Sequence, residues 1–319
     1  MTRRWNWDFE DEHRLLHRRR PSGPGVPPPD RRAQIRRRRL GAGVAIGLLV
    51  LAALIAIVTG SGHHDSATMA AARKELAGAK HARSHPPSKP ENDLNSAVAH
   101  VLSYTPFVKA ASTGVPDVAL TFDDGPGPYT PQVLSVLEHY HVHATFFVIG
   151  KMLRYFSAST VREIEDGDVI GDHTESHPML AQLSAHDQKE ELFEQIARVE
   201  LLGAPRPVLF RPPYGSFNAT TFRELHALHL LMVLWSVDTG DYAQPGVAEI
   251  VQRALEGARP GAIILMHDAG GTRTQTVEAL PAIIRGIRAR GLRLVTVPRL
   301  LMEDPPPPGQ PIPTSLAGD

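Results

Sequence analysis

The chain is 319 residues long, with 34 basic and 34 acidic side chains and a formal net charge of zero. That balance hides an asymmetry: the first 39 residues carry 12 Arg against five acids, a net of +7, so the other 280 carry −7. Positive charge confined to one terminal block excludes a uniformly basic nucleic-acid binder, and the absence of cysteine excludes disulfide scaffolds, cysteine nucleophiles, iron–sulfur clusters and thiolate zinc sites.

In chain order, the basic block 1–39 runs into Leu40–Val58, 19 residues without a charge or a strongly polar group. At helical rise such a run spans roughly 28 Å, close to the hydrocarbon thickness of a bilayer. A core helix this long is rarely apolar on every face, and a signal-peptide apolar region is usually shorter. No clean cleavage signal follows, so 40–59 is assigned as one membrane anchor. Arg36–Arg39 directly before it place the N-terminus in the cytoplasm and the rest of the chain outside. Residues 60–112, rich in Ala, His, Ser, Lys and Pro, read as a flexible extracytoplasmic spacer. Residues 303–319 read as a Pro-rich disordered tail. One folded domain remains, 113–302.

Inside it, short apolar runs alternate with amphipathic stretches. The predicted strands are Val118–Phe122, Ala144–Ile149, Asp168–Ile170, Pro207–Phe210, Leu231–Val237, Ala262–Met266 and Arg293–Val297. Thr130 is expected to cap a helix with Pro131 at its first position. Ser184 and Asp187 open another, with Leu192, Ile196 and Val199 on one face and Gly203 at its stop. Strands alternating with helices imply an α/β fold with a parallel sheet, and seven such units suggest a barrel or an incomplete one. An open doubly wound sheet is the alternative. No Gly-rich phosphate fingerprint follows any strand, which leaves nucleotide binding without support.

The chemistry gathers where strands end. Asp123 and Asp124 follow the first, His173 and His177 the third, Arg211 the fourth, Asp238 and Asp241 the fifth, His267 and Asp268 the sixth. In a parallel barrel these ends share one rim, where barrel active sites assemble. His173 and His177 are four apart; on a helical turn that spacing aims both rings the same way. Two imidazoles and one carboxylate form a catalytic zinc site with an open position. A divalent ion lowers the pKa of its water to roughly 7, and a second aspartate can take that proton while His267 protonates a leaving group. The constellation reads as metal-assisted hydrolysis. A 2-His-1-carboxylate iron oxygenase shares the ligand types but places its carboxylate differently, on a β-sandwich, and is rejected. His139, His141 and His143 superficially resemble a second metal site but read as surface and turn residues, as do His226 and His229. Asp238 reads as structural.

The segments Thr121-Phe-Asp-Asp-Gly-Pro126, His173-Thr-Glu-Ser-His177-Pro178, Arg211-Pro-Pro-Tyr-Gly215, Asp238-Thr-Gly-Asp241-Tyr242 and Leu265-Met-His267 stand in the order of the five motifs of the polysaccharide deacetylases, the NodB-type carbohydrate esterases. The chain resembles that family over about 115–297. The resemblance implies a distorted (β/α) barrel of about seven parallel strands, with Asp124, His173 and His177 holding Zn2+ or another divalent cation such as Co2+ or Ni2+. It implies Asp123 as base acting on the metal-bound water, His267 as acid, Arg211 orienting the base and Asp241 tuning the acid. The backbone N–H of Tyr214 would stabilise the oxyanion, Leu265 would line the acetyl-methyl pocket, and Tyr242 would form an aromatic wall where the family commonly has tryptophan. The expected partner is an N-acetylated polysaccharide, with peptidoglycan before chitin oligomers; the membrane is met through the N-terminal helix, no nucleic acid is bound, and a monomer is expected. A non-catalytic metal- and glycan-binding cell-wall module on the same fold is the competing reading.

Overall fold

The computed structural model describes residues 89–311. Nine short strands alternate with helices in this region. In chain order they are α1 (Lys89–Leu102), β1 (Phe107–Val108), β2 (Asp117–Asp123), α2 (Thr130–Tyr140), β3 (Thr145–Val148), α3 (Leu153–Glu165), β4 (Val169–Asp172), α4 (Ala185–Leu201) and β5 (Leu209–Phe210). Then come α5 (Ala219–Leu228), β6 (Leu231–Val233), β7 (Val237–Asp238), α6 (Val247–Gly257), β8 (Ile263–His267), α7 (Thr274–Ala289), β9 (Arg293–Val295) and α8 (Val297–Glu303).

The strands hydrogen-bond in the order β1-β6-β5-β4-β3-β2-β8-β7, and every named pairing is parallel. β9 pairs with the first half of β2, at Asp117–Ala119, while β3 pairs with its second half, at Thr121–Asp123. The curl of the sheet explains why the apolar run Leu231–Val237 is not one strand. After β6 the chain steps from one end of the order to the other: Leu234 N–H donates to Val108 O at 2.8 Å, and Ser236 N–H to Ile263 O at 3.0 Å. The sheet is therefore an incompletely closed parallel barrel.

Alternation along β2 sorts its residues between two environments. Val118, Leu120 and Phe122 join the outer layer with Val133, Leu134 and Leu137 of α2 and Leu280, Ile283 and Ile284 of α7. Ala119, Thr121 and Asp123 alternate to the other face, where Ala119 packs with Phe147, Leu209, Leu231, Val233 and Ile263. Both faces are covered, so all seven residues of β2 are buried and the strand reads as a near-continuous run. Cutting Leu120 back to Ala would leave a void costing about 2–5 kcal/mol.

Several expectations are corrected. The spacer does not extend to residue 112: Val98 and Val101 of α1 and Val108 of β1 pack with Ala119, Ile263, Leu300 and Leu301. The stretch 89–112 belongs to the fold because these apolar side chains pack with both the sheet and α8. The tail is not free from residue 303. The Asp304 carboxylate accepts the N–H groups of Gly114 and Val115, and Tyr104 donates its hydroxyl proton to Pro306 O at 2.8 Å. Thr130 does not cap α2; it is the first helical residue after Tyr129, because its hydroxyl is engaged by Gly127 and Asp268. Ser184 does cap α4, accepting Asp187 N–H at 3.2 Å. The apolar run Leu40–Val58, the basic block before it and the spacer up to residue 88 lie outside the described residues. Among the described residues no helix is long and apolar enough to cross a membrane.

Candidate active site

Parallel pairing sets the ends of β2, β4, β5, β7 and β8 on one rim, with Asp123 in register with His267 and Asp172 with Phe210. At the end of β2 the chain turns sharply. Asp124 lies at φ 74°, in the left-handed region that is costly for a non-glycine residue. The turn sends the two neighbouring carboxylates to different partners. Asp123 Oδ1 accepts from Arg211 Nη1 at 2.7 Å, and its Oδ2 lies 3.8 Å from His173 Nε2. Asp124 Oδ1 stands 3.5 Å from His173 Nε2 and 3.1 Å from His177 Nε2.

His173 and His177 are carried on a loop, not on a helical turn, which corrects the expected geometry. The loop is shaped by its own side chains. Asp172, closing β4, accepts Thr174 N–H at 2.6 Å, and the Thr174 hydroxyl accepts His177 N–H at 2.9 Å. Thr174 and His177 both take positive φ. Glu175 is buried and paired with Arg198 of α4 at 2.7 Å, while Glu191 accepts Ser176 N–H at 2.7 Å, fastening the loop to α4. The result still brings the imidazoles together, with ring centroids 4.9 Å apart.

The electrostatics favour a bound cation. His173 Nδ1 lies 2.7 Å from Arg211 O; a carbonyl only accepts, so Nδ1 donates to it and Nε2 is the ring nitrogen turned to the site. Burial pushes the His177 imidazole pKa down even beside Asp124. Burial opposes ionisation of Asp124, but the His177 and His173 imidazoles outweigh it and hold its carboxyl well below the usual range. Asp124 Oδ1 is buried with no aligned hydrogen-bond donor. One ligand atom from each of Asp124, His173 and His177 lies within 4.8 Å of the other two. Two nitrogens and one carboxylate oxygen, with an orphaned anionic atom among them, fit a divalent cation.

Arg211 is fully buried and held by the barrel through four hydrogen bonds. It donates to Val233 O, Leu234 O, Thr121 Oγ1 and Asp123 Oδ1, with its guanidinium 4.2 Å from the centroid of the Phe147 ring. Across the rim, Asp241 Oδ1 accepts from His267 Nδ1 at 2.8 Å, and Oδ2 accepts both His267 N–H at 2.8 Å and the Thr276 hydroxyl at 2.7 Å. Burial alone would lower the His267 pKa, but the Asp241 carboxylate prevails and raises it to about 9. Tyr242 sets its ring 5.4 Å from that of His267, and Tyr214, at φ 57° in the turn Pro213–Gly215, sets its ring 4.6 Å from that of His177. Leu265 is buried in β8, and Asp238 accepts Gly240 N–H in a turn. All ten sequence-named site residues thus lie along one rim. Asp124, His173 and His177 are the only group of three potential ligands among the described residues, so His139, His141 and His143 form no second one.

Sequence reasoning missed the supporting residues: Thr121 and Thr276 as partners of Arg211 and Asp241, Glu175 and Glu191 on the histidine loop, and Thr130 with Asp268. Asp268 was visible as a rim residue; a threonine in a strand or helix carries no comparable signal.

The family model for polysaccharide deacetylase matches residues 110–233. A peptidoglycan-N-acetylglucosamine deacetylase of Bacillus cereus is 38% identical over 187 residues, covering 58% of this chain and 87% of the relative. A chitooligosaccharide deacetylase of Sinorhizobium fredii is 35% identical, covering 62% and 98%. Among solved structures, the Bc1960 peptidoglycan N-acetylglucosamine deacetylase superposes with a TM-score of 0.60 at 32% identity, over 63% of this chain and 95% of that one. A CE4 family pseudoenzyme from Bacillus anthracis superposes with a TM-score of 0.58 at 26% identity, covering 62% and 69%. With its barrel, its rim of motif residues and relatives matched over most of their length, this chain belongs to the polysaccharide deacetylase family.

Proposed function

We propose that this chain removes acetyl groups from an N-acetylated glycan by hydrolysis, with peptidoglycan N-acetylglucosamine as the first choice of substrate and chitin oligomers as the second. The observation that carries this reading is the pairing of Asp124, His173 and His177, which fit a divalent cation, with a held carboxylate and a charged-capable imidazole on the same rim. The cation, Zn2+ before Co2+ or Ni2+, would polarise the acetyl carbonyl and acidify water.

The protein's own groups supply the rest. Arg211 occupies Asp123 Oδ1, leaving Oδ2 to take a proton from the attacking water. His267 donates Nδ1–H to Asp241, so its Nε2 delivers the proton that the departing amine nitrogen needs. Water oxygen bonds to the carbonyl carbon, the C–N bond breaks, and acetate and a free amine leave. Tyr214 N–H is assigned to the oxyanion, Leu265 to the acetyl methyl, and Tyr242 to the sugar-facing wall.

The supporting names come from relatives: one acts on peptidoglycan, another on chitooligosaccharide. Residues 40–59 are proposed as a single-pass tether with 1–39 cytoplasmic, placing a monomeric catalytic domain beside the cell wall; protease accessibility on intact cells tests it. Acetate release from N-acetylglucosamine oligomers and from peptidoglycan, with chelator and with added zinc, tests the reaction. Release from neither under any metal condition would overturn it. The pseudoenzyme neighbour favours examining a second reading, a non-catalytic glycan-binding module. Glycan capture that survives Asp123→Asn, together with no turnover in the unmutated chain, would establish that instead.

A further inference from the structure

Asp124 adopts a left-handed backbone at the first residue of a turn, so something outside that turn must hold it. Just past β3, Ile149 N–H donates to Gly125 O at 2.8 Å, and the remaining contacts converge on Asp268, the residue after the acid His267. Its N–H donates to Asp123 O at 3.2 Å, joining the end of β8 to the end of β2. Its Oδ2 accepts the Thr130 hydroxyl proton, and that hydroxyl accepts Gly127 N–H at 2.7 Å. Its carboxylate also fills the space over Gly125: a Cβ placed there would stand 2.6 Å from Oδ1 and 2.9 Å from Cγ. The neighbouring Ala269 methyl closes equally tightly on Gly127. Asp268 is fully buried, and its Oδ1 has no hydrogen-bond partner. A buried carboxylate so placed costs stability, and nothing in the proposed proton transfers uses it.

We infer that Asp268 and Thr130 are positioning residues: they clamp the turn 124–127 so that Asp124 faces the two histidines while Asp123 stays on Arg211. The clamp also couples the two halves of the site, because the strand end that carries the acid His267 fixes the turn that carries the ligand. This inference rests on the proposed deacetylase reading and on the assignment of Asp124 as a cation ligand.

The test uses the full chain and zinc as probe, measuring affinity by competition with a chromogenic chelator. Asp268→Ala should weaken zinc binding about 10–100-fold, the usual effect of losing a group that orients a ligand, and should lower kcat at saturating zinc. Asp268→Asn, which keeps an acceptor for Thr130, should recover zinc affinity to within about threefold of the unmutated chain. Asp168→Asn is the control: it alters a half-buried carboxylate that accepts Ala144 N–H at 2.7 Å, outside the 124–127 turn, and should lower Tm without changing zinc affinity. Should Asp268→Ala fail to fold, Thr130→Val carries the test, with about a 10-fold loss expected. Zinc affinity in Asp268→Ala or Thr130→Val within about twofold of the unmutated chain overturns the clamp, as does an equal loss in Asp168→Asn. An unmutated chain that binds no zinc overturns the deacetylase reading itself, and the clamp falls with it.

Discussion

The two halves of the rim are finished to different degrees. On the β7–β8 side the protein satisfies itself: both oxygens of Asp241 are taken, one by the His267 ring and the other by His267 N–H and Thr276. On the β2–β4 side Asp124 Oδ1 is buried, faces two ring nitrogens and has no aligned donor. Leaving a buried acceptor unpaired is costly. The β7–β8 half is therefore satisfied by the chain's own groups, while the β2–β4 half keeps a buried carboxylate oxygen that fits a cation. Chemistry and stability should respond differently to damage in each.

The comparison breaks most severely at Asp124. Asp124→Ala should abolish zinc binding and reduce acetate release by about three decades, the several kcal/mol that a Lewis acid supplies. The same substitution should remove the rise in Tm that zinc gives the unmutated chain through preferential binding to the folded state. A thermal shift that persists in Asp124→Ala would show that zinc binds elsewhere. On the other side, His267→Ala should cut turnover about 10²–10⁴-fold with zinc content unchanged, measured on the same preparations by metal analysis. Loss of both metal and activity would erase the distinction between the halves.

A smaller change separates charge from position. Asp241→Asn removes the anion that raises the His267 pKa, and should lower kcat by up to about 10²-fold, less than deleting the acid. His267 must start protonated, so the alkaline limb of the pH–rate profile should move to lower pH in this variant. In the cation-free protein the His267–Asp241 pair contributes stability that is fully present below the unfolded imidazole value of 6.5 and is lost as pH rises through about 9. A bound cation opposes the imidazolium and moves that window down. An NMR titration of His267 with and without zinc measures both shifts; an unchanged midpoint in Asp241→Asn would contradict the assigned cause.

How much of this was legible in the sequence follows from what each feature depends on. The strand ends were readable because a parallel strand buried on both faces is a continuous apolar run, and the first polar residues after it mark the rim: Asp123 after Phe122, His267 after Met266. The pairing of His173 with His177 was readable as a spacing but not as a conformation, since the loop is set by Asp172 and Thr174 turning the backbone into positive φ. α1 was missed because its stretch holds few large apolar side chains, although Leu94, Val98, Val101 and Leu102 do follow helical spacing; among its described side chains Val98 and Val101 are the fully buried ones. The break at 234–236 was invisible because it is dictated by β1 and β8, distant in sequence. Local pattern therefore located the reactive groups, and long-range packing supplied their support.

That support has its mildest probe at Ser184. Its hydroxyl caps α4, whose Glu191 and Arg198 hold the histidine loop from a full two and more turns further along. Ser184→Ala removes one cap hydrogen bond, a loss of about 1 kcal/mol, which for a domain of this size lowers Tm by roughly 2–4 °C. Because Glu191 and Arg198 bond to the loop from the interior of the helix, the frayed first turn should not reach them. Zinc affinity and kcat/KM should stay within about twofold of the unmutated chain while Tm falls. If zinc affinity fell in step with Tm, the histidine loop would depend on the whole length of α4, and the ligand half would be softer than its hydrogen bonds indicate.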